Sequence, residues 1–156
     1  MDVVVREQLL ALLRGGQASM KFEQAIANFP IEHINTCPPH VSYTPWHILE
    51  HLRIAQWDIL EFIRNPAHVS PEWPEGYWPA PTAQASAQDW ANTIAAFQAD
   101  LGALEALVAD PATDLYAQIP HAPGYTILRE ILVVADHNAY HTGEFAILRQ
   151  VMQTWA

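Results

Sequence analysis

Residues 131–152, ILVVADHNAYHTGEFAILRQVM, are apolar at both ends and carry two histidines and a glutamate in the middle. The run reads as a long helix. At about 100° per residue, Glu130, Val133, Val134, His137, His141, Glu144, Leu148 and Val151 fall on one stripe. His137 and His141, four residues apart, project from the same face. Burying ionisable groups where leucine would serve is costly unless something binds them. A metal ion is a fitting partner for neutral imidazoles at this spacing. Spacing alone leaves three readings open: a metal site, core histidines each with a satisfied hydrogen bond, or an unmetallated core that titrates.

Working outward, this helix starts near Tyr125 or Thr126 and runs to about Gln153. Three more helical segments precede it. The first, about Val3–Arg14, stops at Gly15-Gly16, and a helical turn or two at about Met20–Asn28 follows before Pro30. The second is about Pro45–Arg64, with Thr44 as N-cap and Pro45 at the first helical position. Its apolar stripe is Ile48, Leu52, Ala55, Ile59, Phe62 and Ile63, and Asn65-Pro66 ends it. The third, about Ala85–Ala109, carries Trp90, Ile94, Phe97, Leu101, Leu104 and Val108 at helical spacing. Between the second and third lies PAHVSPEWPEGYWPAP (66–81), which holds five of the twelve prolines with Trp73, Tyr77 and Trp78. Proline lowers the entropy lost on fixing such a loop and its aromatics need packing partners, so it is expected to be ordered. No alternating run is long enough for a sheet. The pattern predicts an all-α four-helix bundle with a long Pro/Trp-rich crossover loop, one domain over residues 1–156.

Charge narrows the function. Seventeen acidic residues against seven basic give a formal net charge of −10. The basic residues are scattered singly, which disfavours tracking a phosphate backbone and so argues against nucleic acid. No stretch approaches the roughly 20 apolar residues of a membrane span, and Asp2 and Arg6 read as part of the fold, not of an export signal. The lone Cys37 excludes an intramolecular disulfide framework and fits a reducing cytoplasm.

Catalytic zinc and nickel sites commonly take three protein ligands and keep a position open. The last helix supplies two. His51, bordering the second helix's buried stripe, is the best third candidate, whereas His47 is rotated about 40° further toward solvent. Asp58 is placed to accept a hydrogen bond from an imidazole, and Glu144 to do the same or to bind the ion; Glu130 is a weaker candidate. His33, His40, His68 and His121 fall in loops and are expected at the surface. Arg53 and Arg149 are the nearest cationic anchors for an anionic substrate, and both lie away from the inward stripes.

Two segments, PWHILEHLRIAQWDILEFIRNP (45–66) and LREILVVADHNAYHTGEFAILRQ (128–150), resemble the signature helices of the DinB-like (DinB/YfiT) superfamily. Its members are four-helix bundles that bind a divalent metal through one histidine of the second helix and an H-x3-H pair of the last. The resemblance implies His51, His137 and His141 as metal ligands and gives His47 no role. It implies a divalent ion, nickel or zinc foremost, and homodimers packed through bundle helices. Some members activate a low-molecular-weight thiol, as bacillithiol S-transferases and mycothiol-dependent maleylpyruvate isomerases do. The expectation is therefore a metal-dependent enzyme acting on a small molecule, with thiol transfer or hydrolysis as its chemistry. The alternative is a non-catalytic stress-response module in which the ion is structural.

Overall fold

The computed structural model describes residues 2–155 and is mostly helical. Its elements are α1 (Asp2–Arg14), α2 (Phe22–Ile26), α3 (Pro45–Arg64), α4 (Ala87–Ala109), β1 (Gln118–Ile119), β2 (Ala122–Thr126) and α5 (Ile127–Met152), with single 3₁₀ turns at Ile31–His33 and Glu75–Tyr77. α3, α4 and α5 begin at residues able to satisfy free amides. Thr44 accepts from the His47 amide, Ser86 from the Asp89 amide and Thr126 from the Arg129 amide. At the end of α5, Gln153 takes the left-handed conformation, φ 56°, that closes a helix.

The expectation of no sheet is corrected. Ile119 pairs with Ala122 across a tight turn, and Gln118 pairs with Thr126, in a two-stranded antiparallel hairpin. It is short, and its burial comes from Ile119 and Ala122, which insert into the core beside Leu104 and Ile131. Two inward side chains suffice where the long helices have already formed the floor, so no long alternation is needed.

α3 packs on α4 and α5, and α1 packs on the same two helices. Leu60 and Ile63 of α3 cluster with Leu104 and Val108 of α4, while Ile48 and Leu52 cluster with Trp90 and Phe97. α3 and α4 therefore run in the same direction, and the Pro/Trp-rich loop carries the chain back. α5 runs against both: Ile131 and Val134 join the first cluster, Phe145 and Leu148 the second. Between the clusters lies a polar layer, in which Asn138 Nδ2 donates to Gln56 Oε1 at 2.8 Å and Gln56 Nε2 to the Phe97 carbonyl at 2.7 Å.

The buried stripe of α5 shares only Glu130, Val134 and Leu148 with the one the sequence suggests. Ile131, Val134, Ala135, Asn138, Thr142, Phe145, Leu148 and Arg149 are buried, while Val133 and Val151 are exposed. The buried face is turned by about one residue step, about 100°, from His137. A helix this apolar offers two usable stripes, and the neighbours α3 and α4 select one. The histidine pair consequently sits on the shoulder of the core, facing α3 and the crossover loop.

Candidate metal centre

His51 is buried in the middle of α3, and His137 and His141 are half-buried one turn apart on α5. Their Nε2 atoms converge: His51 Nε2 lies 3.1 Å from His137 Nε2 and 3.2 Å from His141 Nε2. One ligand nitrogen from each ring lies within 4.8 Å of the others. Nitrogens bound at about 2.1 Å to one tetrahedral ion are roughly 3.4 Å apart, so the rings are near the separation a single cation requires.

The other ring nitrogens settle the tautomers. His51 Nδ1 is 2.8 Å from the Tyr77 carbonyl, which can only accept. His141 Nδ1 is 2.6 Å from the Glu144 carboxylate. Both Nδ1 atoms therefore donate, and in a neutral ring that leaves each Nε2 a bare lone pair. Two lone pairs facing each other at 3.2 Å repel unless a cation lies between them. Charge on two of the rings, His51 and His137, is also opposed. Burial lowers the His51 pKa, with His141 adding to the effect, and burial followed by the neighbouring His141 and His51 lowers that of His137 to about 4. Neutral imidazoles with converging lone pairs are what a divalent ion binds.

The surroundings hold these rings in place. Trp78, half-buried, stacks on His51 at 3.9 Å and 4° between planes. Tyr43 tilts against Trp78 at 5.5 Å, and its hydroxyl donates to Glu144 Oε1. Glu144 is thereby kept ionised: the His141 hydrogen bond, then that from Tyr43, holds its carboxyl below the usual range against the opposing effect of burial. Burial and the Glu144 contact push the Tyr43 hydroxyl up, so it remains a donor.

Of the predicted residues, His51, His137 and His141 come together, and Glu144 supports His141. Asp58 does not touch an imidazole of the cluster. Its carboxylate accepts from Tyr77 Oη at 2.6 Å and from His68 Nε2 at 2.7 Å, so it fixes the residue whose carbonyl orients His51. Burial, then the Asp58 contact, raises the Tyr77 pKa to about 12. His68, expected at the surface, has its side chain packed against Asp58. Glu130 is buried but bonded to Arg129 Nη1, outside the cluster. His47 is not toward solvent: it is 3 % exposed, and its Nε2 donates to the Ala83 carbonyl at 2.9 Å, tying the start of α3 to the loop before α4. Arg149, expected away from the core, is fully buried. Tyr43, Tyr77 and Trp78 went unassigned in the sequence. Their signal was aromatic side chains in proline-rich loops, but Trp73, from the same loop, stays 70 % exposed, so that signal does not discriminate.

Replacing Glu144 by alanine removes the acceptor that orients His141. The expected result is metal affinity lower by about 10- to 100-fold with the fold retained, checked by competition with a chromophoric chelator and by circular dichroism.

A mostly helical fold with a three-histidine cluster shared between two antiparallel helices defines a class of helical proteins equipped to hold a cation. The sequence profile of the DinB superfamily matches residues 16–145, a span that includes all three histidines and Glu144. The chain belongs to the DinB superfamily. No curated protein and no solved structure gives a significant match.

Proposed function

We propose that His51, His137 and His141 hold one divalent ion, nickel or zinc, through their Nε2 atoms, and that the chain is a metal-dependent enzyme acting on a small molecule. The observation that carries this reading is the pair of tied Nδ1 donors, which leaves the Nε2 lone pairs of His51 and His141 facing each other. No fourth His, Cys, Asp or Glu joins the cluster among the described residues. Three protein ligands with one position free is the pattern of catalytic sites, whereas structural sites are closed by four.

A divalent ion with an open position supplies Lewis acidity, depressing the pKa of a thiol or water bound to it. The chain's own residues do the rest. The Tyr77 carbonyl and the Glu144 carboxylate fix the His51 and His141 rings, Trp78 covers one face of His51, and the Tyr43–Glu144 pair is placed to accept or return a proton at the edge of the site. Neither of the two cationic anchors expected from the sequence is free to receive a substrate. Arg53 is paired with Glu50 at 2.6 Å, and Arg149 is engaged by backbone carbonyls. Thiol cofactors rich in carboxylates are thus poorly matched, and a neutral thiol or a water-driven hydrolysis fits better.

We read the long helices as a four-helix bundle forming one domain. Its second copy packs against the exposed apolar face of α5 (Leu132, Tyr140, Ile147 and Val151) in a homodimer. Net charge and a lone cysteine support a cytoplasmic protein that does not bind nucleic acid; no described helix is long and apolar enough to cross a membrane. The second reading, a structural ion stapling α3 to α5, is favoured by the ligands coming from those two helices.

Metal analysis of protein purified without an affinity tag tests the site, and about one equivalent is expected. The cobalt-substituted protein then separates the readings: a change in its visible spectrum on adding 2-mercaptoethanol marks an open position. A spectrum indifferent to thiol, azide and cyanide supports the structural role. Absence of metal removes both.

The chelator-treated protein should also show a specific pH dependence. The folded pKa of His137 lies at about 4, below about 6.5 in the unfolded chain. The neutral ring therefore contributes its full stability above pH 6.5 and loses it as pH falls toward 4, where the folded state also takes the proton. The expected loss is about 3 kcal/mol, measured by urea titration from pH 8 to 4. In His137→Gln this component of the slope should vanish.

A further inference from the structure

One carboxylate ties both ends of the crossover loop to α3. Asp58, 6 % exposed, accepts from His68 Nε2 at 2.7 Å through Oδ1 and from Tyr77 Oη at 2.6 Å through Oδ2. His68 is further seated by the edge of Trp57, at 5.2 Å between ring centres. His51 stands on the same helix, about two turns before Asp58. Two consecutive residues at the end of the loop orient its ring. The Tyr77 carbonyl accepts from Nδ1 at 2.8 Å, and Trp78 stacks on the ring face at 3.9 Å. The position of the Tyr77 side chain therefore governs both contacts.

Little else holds the loop down. Among the described residues, the hydrogen bonds from residues 68–81 to the helices go to Asp58 and His51. Between the two donors, Val69 and Trp73 are exposed, and the Gly76 and Tyr77 amides bond within the loop, to the Glu72 and Pro74 carbonyls. A segment with few buried apolar contacts opens at low cost, so closure depends on the tie at Asp58. The Nδ1 bond that aims the His51 Nε2 lone pair at the other two rings depends in turn on closure. An acceptor on the far nitrogen of a metal-binding imidazole is worth about 10- to 100-fold in affinity. Such a linkage is reciprocal: whatever closure does for the ion, the ion does for closure.

We propose that Asp58, Tyr77 and His68 are positioning residues for His51, and that closure of the crossover loop and binding of a divalent ion strengthen each other. The inference rests on the reading of the three histidines as ligands; the three positioning side chains lie outside that cluster and act through the backbone of residue 77. Tyr77→Phe removes the hydroxyl alone and keeps the ring and the carbonyl. Zinc affinity, measured by competition with a chromophoric chelator, is expected to fall about fivefold. That is less than for a group bonded directly to a ligand ring, because the carbonyl remains. His68→Ala, which leaves Tyr77 on Asp58, should act in the same direction. Ile119→Val, a core substitution in the hairpin, should leave the affinity within about twofold, which separates positioning from general loosening. The reciprocal effect is read by hydrogen exchange of the full-length wild type. Zinc added to chelator-treated protein should slow exchange at the Gly76 and Tyr77 amides by at least the factor lost in Tyr77→Phe. The hairpin amide of Gly124, bonded to the Gln118 side chain, should not respond. Zinc held as tightly by Tyr77→Phe and His68→Ala as by the wild type, or loop amides indifferent to zinc, overturns the coupling and leaves the ligand assignment standing. A wild type that binds no zinc overturns both.

Discussion

His51→Ala is expected to lower the divalent metal retained after dialysis from about one equivalent to less than a tenth, with affinity weakened by more than the roughly hundredfold typical of losing a supporting partner. His51 is the middle of the cluster, the ring to which both other Nε2 atoms come within 3.2 Å. Without it the pair on α5 remains, but two ligands on one helix lack the bridge to α3. The wild type should melt at a higher temperature with metal than with chelator, by several degrees at saturating ion, because a ligand that binds only the folded state stabilises it by mass action. His51→Ala should lose that difference. Undiminished metal in this variant, read by mass spectrometry of the native protein, would remove His51 from the ligand set. A preserved chelator effect without His51 would put the cation elsewhere.

The second large effect concerns Arg149, which has no part in the metal centre. The residue is 1 % exposed. Nη1 donates to the carbonyls of Ala25 and Ala27 at 2.7 and 2.8 Å, and Nη2 to that of Thr154 at 2.7 Å. α2 is a helix of only five residues, so its terminal carbonyls have no intrahelical donors. The planar fork of arginine reaches two elements at once, with Trp155 at 4.0 Å from its central carbon. Burial lowers its pKa, yet the compensation comes from backbone carbonyls and aromatic faces and not from a carboxylate. Arg149→Leu leaves three carbonyls without their donor and is expected to cost about 3–5 kcal/mol, at about 1–3 kcal/mol for each buried group left unsatisfied. That corresponds to a melting temperature lower by roughly 10 °C. Arg149→Lys should rescue little, since one ammonium cannot span both elements. A loss below about 1 kcal/mol in urea denaturation would mean that α2 and the C-terminal turn are held by their apolar contacts alone.

The long helices were legible because their signals are local. Thr44-Pro45 and Asn65-Pro66 bracket α3 at the observed bounds, and α1, α4 and α5 lie within two residues of expectation. Caps and breakers act through the nearest turn of backbone, so a linear reading finds them. His137 and His141 were legible for the same reason, since four residues on a helix is a short-range fact. The hairpin escaped notice because its burial depends on a floor built by residues distant in sequence. His47 and His51 could be ranked but not placed: helical angle distinguishes them, yet the Ala83 carbonyl that buries His47 belongs to another segment.

What the sequence determined by itself is the set of helices, the pairing of two imidazoles on one face, and an acidic surface. The tertiary structure alone decided which stripe of α5 is buried, that Arg149 is internal, and that His51 reaches the other two rings. It also decided which groups hold the rings: the Tyr77 carbonyl orients His51, and Asp58, expected to accept from an imidazole, accepts from His68, outside the cluster. The physical reason is the range of the forces. Helix propensity and capping are settled within a turn, whereas a hydrogen bond between residues 51 and 77, or a lone pair at 51 facing one at 141, exists only after packing brings distant segments together.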